Sequence, residues 1–147
     1  MLRNHKSKNM KNLFFVFAFA CLTNLGFAQE KGIDITITID NVVNDEGKVL
    51  ISLHTADTFM KGPGVANLES IIKDGKVELT FKNVEPGTYA IMAMHDANNN
   101  KQMDFQSNGM PIESYGMSGN DMSFGPPSFD SAKFEVNGED LEMNIRF

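Results

Sequence analysis

The stretch HDANNNKQMD, residues 95–104, sets Asp96, Asn98, Asn100 and Asp104 at alternate positions. A loop curling round an ion presents every second side chain inward, and calcium takes roughly six to eight hard oxygens. In this register Asp96 is the first ligand position, Asn98 the third and Asn100 the fifth. Gln102 follows as the seventh through its backbone carbonyl, and Asp104 as the ninth. The side chains would bring two negative charges and four oxygens. Two residues depart from the pattern. Lys101 stands where a tight turn ordinarily needs glycine, and Ser107 where a bidentate glutamate closes the shell. Glu113 is the next acidic residue downstream, then Asp121, and a long loop can bring either back. Asn100 tolerates a left-handed backbone, so the turn can shift by one; otherwise Lys101 itself must take the strain. Two alternatives stay open: a metal-free polar turn built on Asx hydrogen bonds, and a catalytic use.

His95 adjoins this run, with Glu113 and Tyr115 downstream. His95 and Glu113 on one cleft would suit acid–base chemistry, hence a hydrolase or lyase. His54 ends another strand pattern, and two histidines with a carboxylate would suit zinc. The plainer alternative is that His95 hydrogen-bonds a loop carbonyl. Ser114, Ser118 and Ser123 lack a nucleophile-elbow context, and there is no phosphate loop or basic–aromatic stripe. Met92 and Met94 share a strand face and read as core filler rather than copper ligands.

The elements that must position these residues have a period of two. Ile33, Ile35, Ile37 and Ile39 alternate with polar residues, and KVLISLH (48–54) and KVELTFK (76–82) do the same. TYAIMAMH (88–95) is apolar on both faces, as a central strand is. The turn at 44–47 suggests a hairpin between the first two strands, and Asn137-Gly138 another between 132–136 and 141–147. Residues 70–73 suggest a short strand after a loop over 57–69. No helix is expected. Six or seven short strands call for a β-sandwich. The exception is the insertion 96–128. It carries Met103, Phe105, Met110, Tyr115, Met117, Met122 and Phe124, so it is expected to fold back over an edge or end of the sandwich.

Residues 1–28 read as a secretory signal. Arg3, Lys6, Lys8 and Lys11 precede the apolar run 13–22, and Gly26-Phe27-Ala28 offers a cleavage site. Cys21, the one cysteine, raises a lipid anchor as a lesser alternative, since Phe19 fits such a signal poorly. The remaining domain, 29–147, has nine basic and nineteen acidic residues, a formal charge of −10. Such a charge repels nucleic acid, which is not expected as a partner, and anionic membranes, and it attracts cations. The mature chain is expected to have no disulfide and no transmembrane span.

PGTYA (86–90), the HDxNxNxxxD loop (95–104), GxPxExYGxS (109–118) and GPPxFxxA (125–132) together resemble the secreted bacterial family called domain of unknown function 2141. The resemblance implies a secreted all-β fold, a single Ig-like or transthyretin-like β-sandwich of about seven strands with one long ordered loop. It implies no reaction. Family members often have glycine at the position of Lys101, so their loops are tighter. The resulting expectation is a non-enzymatic exported binding or structural module. Calcium would be held by Asp96, Asn98, Asn100, Gln102, Asp104 and Glu113. His95, Tyr115, Met117 and Phe124 would line a surface for a protein or glycan partner.

Overall fold

The structure is a computed structural model and describes residues 32–121 and 126–147. Residues 1–28, expected to be a signal, with Cys21 among them, and Met122 and Phe124 lie outside the described residues.

The alternating sequences form two stacked sheets. Strand β1 (Ile33–Ile39) lies between β4 (Val77–Val84) and β8 (Leu141–Asn144). The second sheet runs β3 (Ala66–Ile71), β2 (Lys48–His54), β5 (Gly87–Asp96) and β6 (Tyr115–Met117), while β7 (Phe134–Val136) pairs with the start of β5. Ile33, Ile35, Ile37 and Ile39 all bury their side chains between the sheets, against Val49, Ile51, Leu53, Ile91 and Ala93. Each such residue stabilises the fold by about 1.5–3 kcal/mol. This alternation, rather than any single turn, specifies which face of each strand is inside.

Neither expected hairpin forms. β1 pairs antiparallel with β4 and parallel with β8, and β2 pairs with β3 and β5. The apolar faces of β1 and β2 oppose each other across the core, so residues 40–47 cross between sheets instead of turning within one. Residues 137–140 make the same kind of crossing from β7 to β8. The strand expected at 70–73 begins earlier, at Ala66, in what reads as loop. It is an edge strand whose faces are all at least partly exposed, so its sequence carries little apolar alternation. Its end is closed by Asp74-Gly75, both left-handed, within the Lys73–Lys76 bridge.

The insertion does fold back. Its residues 115–117 become β6, in register Met92↔Met117, Ala93↔Gly116 and Met94↔Tyr115. A four-residue helix, α1 (Phe129–Ala132), follows, capped by Ser128, whose Oγ accepts the Ser131 N–H. Ala132, Met117, Ala90 and Phe59 form a second small core on the outer face of the sheet. Ser118 ties it together. Its buried hydroxyl donates to the Ala132 carbonyl and accepts the Ile91 N–H.

The two histidines lie at opposite ends of the β2–β5 ladder. His54 is opposite Ala90 and His95 opposite Val49. Five residues of strand separate the two rungs, about 16 Å. The zinc pairing considered from the sequence is therefore not available. His54 instead packs edge-on against Phe59, with Nδ1 3.3 Å from the Thr58 hydroxyl.

Two outcomes follow. Ser118→Ala strands a buried carbonyl and a buried N–H, so it should cost about 1–3 kcal/mol in urea unfolding. Burial holds the His54 pKa below its usual value, against a smaller opposing effect of its hydrogen bond to Thr58. A depressed histidine pKa means the unfolded chain takes up the proton first as pH falls. The contribution is present above pH 6.5 and declines below it, until the folded-state pKa is passed. The urea midpoint of His54→Gln should therefore fall less between pH 7.5 and pH 5 than that of the wild type.

Candidate metal-binding loop

The loop starts where β5 ends. Asp96 is the last residue of the strand and is 1% exposed. Its carboxylate turns back to accept two backbone N–H groups, Asn100 N on Oδ1 at 3.1 Å and Lys101 N on Oδ2 at 2.9 Å. These bonds curl residues 96–101 into a compact turn. Lys101 adopts φ 61° and Asn99 φ 59°. The sixth position thus takes the left-handed conformation that glycine favours, with lysine in it. The lysine side chain points away to Glu69 on β3, at 3.0 Å, and Glu69 also pairs with Lys48 at 2.7 Å. The two lysines hold the Glu69 carboxyl below the usual range, chiefly through the hydrogen bond from Lys48.

The alternating side chains converge. Asn98 Oδ1 accepts Asn100 N, and Asn100 Oδ1 accepts Gln102 N, at 3.0 and 2.8 Å. The amide nitrogens of Asn98 and Asn100 both donate to Asp104 Oδ2, at 2.7 and 2.8 Å. Each asparagine oxygen keeps a second lone pair. Gln102 is exposed, with its backbone N–H held in this network.

Glu113 returns to the loop from the far side of the insertion. The β5–β6 ladder continues past its last paired residues through His95 N–H to the Ser114 carbonyl, 2.9 Å. One further step of that register sets Glu113 beside Asp96, on the outer face of the sheet. Glu113 Oε2 accepts Asp104 N at 3.1 Å. Glu113 Oε1 is buried and, alone among such side-chain atoms of the described residues, has no hydrogen-bond partner. A buried carboxylate oxygen left unpaired costs about 1–3 kcal/mol or more.

Electrostatically the site is short of positive charge. Among the described residues, no lysine or arginine pairs with Asp96, Asp104 or Glu113. Nor does any group of three or more His, Cys, Asp or Glu side chains stand close enough to hold a metal alone. A cation here would draw on a mixed set: carboxylate oxygens, the asparagine oxygens and a backbone carbonyl. Such all-oxygen sets suit calcium rather than zinc or copper.

His95 is buried, with Nε2 2.7 Å from the Glu46 carbonyl oxygen. A carbonyl only accepts, so Nε2 carries a proton and anchors the 44–47 turn to β5. Gly47 completes this anchor. A Cβ there would strike the Asp96 carbonyl, and its φ is 66°. Tyr115 is partly exposed and Met117 buried; both line a cavity of about 660 Å³ with Asn41, Asn120, Arg146 and Phe147. Three exposed apolar residues that the sequence does not mark as functional also lie beside the loop: Phe105, Met110 and Ile112. Their spacing shows no period; their exposure is the signal.

No curated protein and no solved structure matches the chain. Residues 37–144 match a family of uncharacterised proteins conserved in bacteria, DUF2141. The match spans every strand from β2 to β8 and the whole loop from Asp96 to Glu113, and the chain belongs to the DUF2141 family.

Proposed function

We propose that this is an exported, non-enzymatic β-sandwich module whose long loop is ordered by calcium. The observation that supports it most is Glu113. Its Oε1 is buried without a partner at the closing position of a loop that already gathers Asp96, Asn98, Asn100 and Asp104. A cation would satisfy that oxygen. Asp96, Asn98, Asn100, the Gln102 carbonyl, Asp104 and Glu113 are the proposed ligands. The amide nitrogens now on Asp104 would give way to the ion. Breaking those two hydrogen bonds offsets part of the binding free energy, in keeping with a weak extracellular-type site of about 10⁻⁴–10⁻³ M. The loop surface around Tyr115 and Met117 would serve a protein or glycan partner. Export rests on the basic and apolar pattern of residues 3–22 and the small residues before Gln29.

Calcium at a hundredfold excess over its dissociation constant should stabilise the fold by about 2.7 kcal/mol over chelator. That is roughly a 10 °C rise in Tm for a domain of this size. Glu113→Gln should melt no lower than the wild type in chelator, since it removes a buried charge, yet lose most of the calcium increment. Superimposable wild-type melts with and without calcium would sink the calcium reading. Intact mass of the protein recovered outside the cytoplasm should correspond to a chain beginning at Gln29; an uncleaved or lipidated mass would count against soluble export.

A further inference from the structure

Residues 104–113 form a small hairpin standing on the metal loop. Ile112 N–H donates to the Asp104 carbonyl, Phe105 and Pro111 bridge, and Gln106 N–H donates to the Met110 carbonyl at 2.8 Å. Gly109 closes the turn at φ 83°. The base of this finger is Asp104 and Glu113, two of the proposed calcium ligands, joined by the Asp104 N–Glu113 Oε2 bond.

Phe105 is 59%, Met110 60% and Ile112 62% exposed. In the hairpin register Met110 and Ile112 fall on one face, Phe105 and Pro111 on the other. The finger therefore carries exposed apolar side chains on both sides. Between Phe105 and Ile112 there is no charged residue. A docked protein would cover one face, and three side chains offer a few hundred Å² at most, well short of the roughly 800 Å² per partner of a stable protein interface. A glycan would need converging polar donors, where the finger offers aliphatic chains. A lipid interface can surround both faces, needs no shape complementarity, and meets no charged side chain between Phe105 and Ile112.

Charge decides when insertion is allowed. At the base, Asp96, Asp104, Glu113 and Glu69 oppose Lys48 and Lys101, a net −2. That repels phospholipid phosphate. A bound divalent ion offsets those two charges. We propose that the 105–112 finger inserts into a phospholipid surface when calcium fills the loop at its base. This rests on the calcium reading above.

The chain has no tryptophan, so Phe105→Trp gives a single reporter at the finger. With phosphatidylethanolamine–phosphatidylglycerol vesicles, its emission should shift to the blue in calcium and revert in chelator. Co-sedimentation should follow the same switch. The triple variant Phe105→Ser, Met110→Ser, Ile112→Ser should keep the calcium increment in Tm but partition to vesicles at least about tenfold less. A calcium increment in Tm with no vesicle binding, or binding indifferent to calcium or to the triple variant, overturns the insertion and leaves the calcium reading standing. A calcium-dependent dimer in light scattering, abolished by the same variant and without vesicle binding, assigns the finger to a second copy and overturns it equally. Absence of any calcium effect on Tm removes both.

Discussion

The antiparallel ladder along β5 is the constraint on which the rest depends. Its odd residues, Ile91 and Ala93, enter the sandwich core, and its even residues, Ala90 and Met92, form the outer cluster with Met117. The same alternation carries on to Asp96 at the strand's end. β6 adds itself to this ladder, and its register fixes how far Glu113 lies from the loop it closes. A one-residue slip would turn Met117 out of its cluster and take Glu113 from the face that holds Asp96. Packing and the candidate site are thus set by a single pairing.

Around that ladder the polar groups divide the labour. His95 and Gly47 hold the neighbouring turn against the strand end, and Ser118 holds the insertion's return. The Lys48–Glu69–Lys101 bridge ties the loop to the edge strand, although exposed pairs of this kind contribute little. Asp96 matters more, because it is buried and closes the turn with both oxygens.

Much of the sandwich is legible in the sequence because burial on one face writes a period of two. The isoleucines of β1 and the doubly apolar β5 are plain examples. Pairing is less legible. Turns at 44–47 and 137–140 look like hairpin turns, and only the demand that two apolar faces oppose each other makes them crossings. β3 leaves almost no trace, since an edge strand exposed on alternate positions need not be apolar. In the loop, the alternating oxygens are visible from spacing, and so is Glu113 as a returning acid. The left-handed Lys101 is one of two turns that the spacing allows, and the Asp96 hydrogen bonds to Asn100 N and Lys101 N accompany the one adopted. The finger is not visible at all, because exposure of Phe105 or Ile112 is a property of what fails to pack on them.

The parallel pairing of β1 with β8 has a consequence for how the molecule is made. Ile35 and Thr36 lie against Leu141 and Glu142, more than a hundred residues apart in sequence. The final residues also cap the joint, with Ile145 N–H on the Thr38 carbonyl and the Phe147 carbonyl on Asn41. Without those residues β1 would pair only with β4 and keep its other edge unpaired. Contacts this distant in sequence raise the contact order, so closing the β1–β8 edge belongs to the slow part of folding.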